Sequence, residues 1–116
     1  CYQSSPSLVN VLITDNSGGG IECTNNSSPS LENVTITDNT ASGGNGGGGI
    51  YVKNSSPTLQ FLTITDNFAE LGGGIYFWNS TSNIENVSIT GNSASGSCNS
   101  SGLGDGWGAG DVAAHR

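Results

Sequence analysis

The chain has 116 residues, of which 9% are charged, and its net charge of −7 comes from nine acidic and two basic residues. Two cations cannot neutralise a row of phosphates, so the composition excludes nucleic acid as a partner and disfavours an anionic membrane surface. No apolar run approaches the roughly 20 residues of a spanning helix, and no membrane span is predicted. With 19 glycines and few aromatic residues, the chain cannot fill an ordinary globular core, so one thin, repetitive domain is expected.

The cysteines and the first residue indicate where the protein resides. The chain contains no Met and starts at Cys1, which indicates a processed or excised product. Three cysteines in a Lys-poor chain rich in Ser, Asn and Thr are typical of an oxidising environment. We therefore expect the protein to be secreted and to lie outside the cell or on its surface.

One unit repeats along the chain and is seen in full from Asn54 to Phe77. Its clearest marker is an asparagine that recurs at steps of 23, 28 and 25 residues, in Asn16, Asn39, Asn67 and Asn92. An isoleucine column runs beside it, in Ile13, Ile36, Ile64 and Ile89. Such steps are typical of solenoid coils, and apolar residues spaced two apart within each unit indicate strands. Helical periodicity is not found, so no helix is predicted.

Each unit is predicted to contain two strands. The first runs from an apolar residue such as Leu31 to the isoleucine column, a turn follows at Asp-Asn, and a glycine-rich segment leads into a second strand, G-G-G-I. A Ser-Ser-Pro tripeptide then returns the chain to the next unit. The predicted coils span about 1–26, 27–54, 55–80 and 81–96, and residues 97–116 form either a terminal coil or an assembly tail.

The pattern N-V-T-I-T-D-N at 33–39, with G-G-G-I-Y at 72–76, resembles the right-handed parallel β-helix proteins. It is most similar to the Gly/Asn-rich repeats of surface proteins, including polymorphic outer-membrane-type passenger domains. The resemblance covers residues 4–96 and implies an all-β, right-handed parallel β-helix of about four short coils with no substantial helix. Because the same coil serves adhesins, stalks, lyases and phage spikes, the resemblance leaves the function open.

Stacking would place like residues in ladders along the axis of such a helix. Coils lie about 4.8 Å apart, so an inward asparagine can hydrogen-bond its copies above and below. The asparagine column marked above is predicted to form this ladder. A second ladder is expected from Asn10, Asn33 and Asn86, interrupted by Phe61, with its members buried.

The acidic residues form a column of their own. Asp15, Asp38 and Asp66 would stack, and stacked carboxylates repel unless a cation or the solvent screens them. A Ca²⁺ ladder is a secondary hypothesis, because the calcium-binding nonapeptide pattern is absent and Gly91 replaces the fourth carboxylate. No metal site or cofactor is otherwise expected.

The positions of the cysteines and asparagines within the coils predict which of them could be covalently modified. Cys1 and Cys23 lie at corresponding places in consecutive coils and are candidates for a disulfide, which leaves Cys98 as an intermolecular or free thiol. A lipid on Cys1 is an alternative. Sequons at corners of the coil make five asparagines candidates for glycosylation: Asn25, Asn26, Asn54, Asn79 and Asn99. Buried sequons such as Asn33 would be poor acceptors.

Three functions are weighed. Catalysis is not expected, because Lys53 stands alone, His115 lies near the C-terminus, and the acids lie in turn columns instead of converging in one place. The second possible function is binding through one face of the solenoid. The T-x-T pairs would form a flat array that resembles the ice-binding surface of small β-solenoid antifreeze proteins, and glycan binding by this face is the other possibility. Its residues are Thr35, Thr37, Thr63, Thr65, Ser88 and Thr90.

Assembly is the function that the sequence favours. A short β-helix has open ends with unpaired strand edges, and no cap is visible before the first repeat. Stacking copies head to tail would bury both ends and give a filament or stalk. We therefore expect a non-enzymatic extracellular structural protein whose main partner is itself. A fragment of a longer surface adhesin is the alternative.

Overall fold

The computed structural model describes residues 1–43 and 46–96 and the backbone of residues 112–115. This part of the chain contains 14 β-strands and no helix. Three sheets of four strands each run along the stack, and every strand pairing within them is parallel. The all-β solenoid expected from the sequence is therefore confirmed.

The three sheets take one strand from each coil. Sheet 1 contains β1 (Ser7–Val9), β4 (Ser30–Glu32), β7 (Thr58–Gln60) and β11 (Asn83–Glu85). Sheet 2 contains β2 (Leu12–Thr14), β5 (Thr35–Thr37), β8 (Thr63–Thr65) and β12 (Ser88–Thr90). Sheet 3 contains β3 (Ile21–Thr24), β6 (Ile50–Lys53), β10 (Ile75–Trp78) and β14 (Val112–His115). A short pair, β9 (Phe68–Ala69) and β13 (Ser93–Ala94), lies at one corner.

The core is a set of vertical columns of aliphatic side chains. Ile36 pairs with Ile64 across β5 and β8, and Leu31 pairs with Leu59 across β4 and β7, all four fully or almost fully buried. Each such side chain contributes about 1.5–3 kcal/mol through burial. Because every strand turns its alternate residues inward, the few aliphatic residues per coil suffice to fill a narrow interior.

Each coil has three sides where the sequence predicted two strands. The single strand expected from the first apolar residue to the isoleucine column is divided by a left-handed corner residue, which ends the extended backbone. Asn10, Asn33 and Asn86 occupy this corner with φ between 53° and 58°. Asparagine tolerates that region better than most residues. Phe61 holds the same position in the third coil, with φ of 53°.

The other two corners also rely on left-handed residues. Asp15, Asp38 and Asp66 have φ between 54° and 59° after the strands of sheet 2, and Gly91 takes their place in the fourth coil with φ of 69°. After sheet 3 the corners are formed by asparagines, namely Asn25, Asn26, Asn54 and Asn79. Short polar residues therefore set the three-sided shape of the coil.

The insertion in the second coil leaves the stacking undisturbed. Ile21 pairs with Ile50 and Ile50 pairs with Ile75, although the chain between the asparagine column and sheet 3 is longest in the second coil. The extra residues lie at 41–49, of which 44 and 45 are outside the described residues. The corner absorbs the length difference, as solenoids commonly allow.

Near the C-terminus, β14 pairs in register with β10, with Ile75 opposite Val112. This strand gives sheet 3 a fourth member. The choice between a terminal coil and an assembly tail for residues 97–116 stays a prediction. The remaining residues of that segment are not described.

Candidate functional site

The buried asparagines form a continuous hydrogen-bonded ladder through the stack. The side-chain Nδ2 of Asn16 donates to Oδ1 of Asn39 at 2.8 Å, Asn39 donates to Asn67 at 3.0 Å, and Asn67 donates to Asn92 at 2.9 Å. The backbone N–H of each donor residue reaches the same Oδ1, at 3.0–3.1 Å. Each carbonyl oxygen therefore accepts two hydrogen bonds from the preceding coil.

The same amides also satisfy the backbone at the corner. Nδ2 of Asn67 donates to the carbonyls of Thr65 and Ile36, both at 2.9 Å. Asn39 and Asn67 are at most 1% exposed, so these bonds are shielded from water. An unpaired amide at such a position would cost about 1–3 kcal/mol. The ladder therefore makes each coil depend on its neighbours.

A second buried ladder consists of serines and was missed at the sequence level. The backbone N–H of Ser27 donates to Oγ of Ser55 at 3.1 Å, and that of Ser55 donates to Oγ of Ser80 at 3.1 Å. Ser4 begins the row, with its N–H 3.3 Å from Oγ of Ser27. The signal in the sequence is the repeated serine of the Ser-Ser-Pro tripeptide, which by itself indicates only a turn.

The expected second asparagine ladder lies outside the core. Nδ2 of Asn33 donates to Oδ1 of Asn10 at 2.6 Å, but both residues are exposed, as is Asn86. The prediction that Asn33 and Asn86 are buried is wrong, because a left-handed corner residue between two strands turns its side chain outward. Burial therefore gives no reason to discount these two sequons.

The aspartate column is tied to the threonines that precede it. Oγ1 of each threonine donates to the next carboxylate, from Thr14 to Asp15 at 2.9 Å, Thr37 to Asp38 at 2.9 Å and Thr65 to Asp66 at 3.0 Å. The described residues contain no group of three or more His, Cys, Asp or Glu that could hold a metal ion. The Ca²⁺ hypothesis remains untested.

The threonine array forms the outer surface of sheet 2. Thr35 lies opposite Thr63 and Thr63 opposite Ser88, while Thr37 lies opposite Thr65 and Thr65 opposite Thr90. Leu12, 65% exposed, begins the first row. The hydroxyls of Thr37 and Thr65 donate to neighbouring carboxylates, as described above, so they are committed within the chain. A binding role for this array stays a prediction.

Cys1 stands beside Cys23, because Tyr2 and Thr24 form a parallel bridge. Both cysteines are free thiols in this structure, Cys1 exposed and Cys23 buried, and a disulfide between them stays a prediction. Burial raises the pKa of the Cys23 thiol to about 11, although the N-terminal ammonium lowers it in part. Cys98 lies outside the described residues.

An open groove runs along the corner between sheets 3 and 1. It encloses about 630 Å³. Its lining residues are all neutral and polar: Asn26, Ser28, Asn54, Ser55, Ser56, Asn79, Ser80 and Thr81. Three of the five predicted glycosylation residues lie in it, Asn25 lies next to it in the chain, and Asn99 is outside the described residues.

An aromatic row stands on the outer face of sheet 3, next to this groove in the chain. Tyr51 stacks on Tyr76 with ring centroids 5.7 Å apart. The indole of Trp78 meets Tyr76 edge-on at 6.3 Å and carries the Lys53 ammonium 5.9 Å from its centroid. Trp78 remains 39% exposed.

None of the described residues belongs to a helix that could span a membrane.

Strand order, parallel pairing and stacked side-chain ladders define the class of the protein, which is a parallel β-helix. The profile of the right-handed beta helix region family matches residues 1–103, and the chain belongs to that family. No curated protein sequence and no solved structure matches the chain. The fold is compatible with a structural or adhesive surface protein, but the same fold supports enzymes too, so membership does not decide catalysis.

Proposed function

We propose that this protein is a non-catalytic structural β-helix of the cell surface whose copies stack head to tail into a filament or stalk. The observation that carries the proposal is the direction of the two buried ladders. In both, the N–H groups of one coil donate to side-chain oxygens of the next coil toward the C-terminus. The stack is therefore polar, with acceptors facing one end.

The acceptor end is the face of the first coil. Oδ1 of Asn16 and Oγ of Ser4 are exposed there and accept no hydrogen bond from the described residues. The same face carries apolar side chains that are only partly buried: Leu8, Val11, Ile13 and Ile21. Both features are completed by another coil of the same repeat.

The opposite end offers matching edges. Among the described residues, strands β11, β12 and β14 are the last members of sheets 1, 2 and 3, as β1, β2 and β3 are the first. Ile84 and Val87 in the last coil are only partly buried. A second copy placed in register would extend all three sheets at once. Because the contact joins different surfaces, it does not close on itself and gives a linear filament.

Sedimentation velocity over a concentration series tests this proposal with two variants of adjacent residues. Ile13→Asp places a charge on the stacking face, whereas Leu12→Asp places the same charge on the side of the same coil, where residue 12 is 65% exposed. We expect concentration-dependent assembly of the unaltered chain and of Leu12→Asp, and monomers of Ile13→Asp with a retained β-sheet circular dichroism spectrum. Monomers of the unaltered chain at every concentration would refute the proposal.

A further inference from the structure

The groove between sheets 3 and 1 is a concave surface of the described chain that the stacking proposal does not use. It crosses three consecutive coils, because Asn26, Asn54 and Asn79 occupy the same corner of successive coils. The backbone N–H of Asn26 donates to the carbonyl of Asn54 at 2.7 Å, which fixes their spacing. The first and third amides are therefore separated by about 10 Å, in a straight row.

The chemistry of the lining identifies the kind of ligand. All eight lining residues carry an amide or a hydroxyl, and none is charged. The protein as a whole carries a net charge of −7, which repels anionic ligands. A row of neutral donors and acceptors with one repeat per coil matches a ligand that repeats hydroxyl groups at a similar interval. We infer that this groove binds an extended, neutral hexose oligosaccharide along the axis of the β-helix.

The hydrogen bonds within the groove hold the side chains in place and leave part of their capacity available. Nδ2 of Asn79 donates to Oδ1 of Asn54 at 2.8 Å. This bond does not use the Nδ2 donor of Asn54 or the Oδ1 acceptor of Asn79, and neither atom has a hydrogen-bond partner among the described residues. Ser56 and Thr81 are similarly linked by a hydroxyl contact of 3.3 Å. Pairs of this kind offer one donor and one acceptor at fixed positions, which suits vicinal sugar hydroxyls.

Trp78 supplies an apolar surface beside this polar row. It directly precedes Asn79, is 39% exposed, and its ring is held by edge contact with Tyr76 and by the Lys53 ammonium. Indole combines an apolar face with a polar N–H and so suits the mixed surface of a pyranose ring. The exposed indole therefore adjoins the groove through the peptide bond to Asn79, although it is not one of the lining residues.

An N-linked glycan on these same residues would occupy the groove covalently. Attachment at Nδ2 of Asn79 would replace one of the two amide hydrogens with a sugar, at the same atom that donates to Asn54. The test is therefore carried out on the full chain produced without N-glycosylation. Calorimetry with cellohexaose measures binding of an extended neutral hexose chain. Oligogalacturonate of equal length, which is extended but anionic, serves as the comparison ligand.

Two matched variants locate the site. Asn54→Ala removes an amide from the groove, whereas Asn33→Ala removes an exposed amide of the same kind, also hydrogen-bonded to its copy, at the corner between sheets 1 and 2. We expect saturable cellohexaose binding that Asn54→Ala weakens about tenfold and Asn33→Ala leaves unchanged, and no saturable binding of oligogalacturonate. Absence of cellohexaose binding, equal binding of the anionic oligomer, or equal loss in both variants would overturn the inference. Because Ile13→Asp lies outside the groove, its monomers should still bind, which separates this test from that of stacking.

Discussion

Phe61 is the residue whose replacement should stabilise the coil most clearly. It occupies a left-handed corner with φ of 53°, where the three other coils have asparagine. A left-handed conformation costs an ordinary L-residue about 1–2 kcal/mol, and asparagine less. Asn33 already donates from Nδ2 to Asn10 at 2.6 Å, so Phe61→Asn would continue this outer row to Asn33 and Asn86. One such exposed bond adds about 0.5 kcal/mol.

Against this gain stands the burial free energy of the phenyl ring, which the substitution removes. Phe61 is 54% exposed, so this loss is only about 1 kcal/mol. We therefore expect a net gain of about 1 kcal/mol, and a rise in melting temperature of about 4 °C for a chain of this length. Urea unfolding followed by circular dichroism measures it as a higher midpoint with an unchanged slope.

Two controls separate the contributions at this corner. Phe61→Gly should gain the free energy from relieving the left-handed backbone conformation, but not that from the side-chain hydrogen bond. Phe68→Asn removes a phenyl ring of similar exposure, 41%, from a strand residue without positive φ, and should not stabilise. A lower midpoint for Phe61→Asn than for the unaltered chain, or equal shifts for Phe61→Asn and Phe68→Asn, would refute the reasoning.

Three further predictions concern single positions. Ser82 holds the place of the proline in the other three units and has a buried Oγ without a hydrogen-bond partner, so Ser82→Pro should raise the free energy of unfolding by about 1 kcal/mol in urea titration. A Cβ on Gly73 would lie 2.2 Å from the Ser93 carbonyl oxygen, whereas one on Gly18 would meet nothing within 4 Å. Gly73→Ala should therefore lower the melting temperature by an amount equivalent to about 2 kcal/mol, and Gly18→Ala should not lower it. Because burial raises the pKa of the Cys23 thiol from 9.0 to about 11, its contribution to stability is complete below pH 9 and declines as the pH rises through 11. Chemical denaturation at several pH values should show this decline in the free energy of unfolding, and Cys23→Val should make the decline smaller. The same pH dependence in Cys23→Val and in the unaltered chain would contradict its assignment to the buried Cys23 thiol.

Much of the fold could be predicted because stacking repeats the same physical demand in every coil. The columns of Ile36 and Asn39 each recur at positions that must pair in register, so repetition in the sequence is repetition in space. The corners could not be placed as well. Asn33 looks like one more strand residue in the sequence, and only its left-handed φ of 53° shows that the strand ends there.

The sites were harder to predict than the fold. Ser27 and Ser55 belong to a buried ladder, but in sequence they resemble any serine of a turn, since their role depends on which coil lies above them. The groove depends on three corners being adjacent, and no single unit contains it. The spacing of Cys1 and Cys23 places them at corresponding positions of neighbouring coils, but it carries no information on whether the two thiols are oxidised, which depends on the redox environment.

Electron microscopy of the concentrated chain, followed by X-ray diffraction from aligned samples, tests the stacking proposal most directly. In-register head-to-tail stacking predicts unbranched filaments with a meridional reflection at about 4.8 Å, because every coil then continues the same axial spacing across the junctions. Discrete particles one molecule long at every concentration, from a chain with the expected β-sheet spectrum, would contradict the proposal that copies of this protein complete one another's sheets.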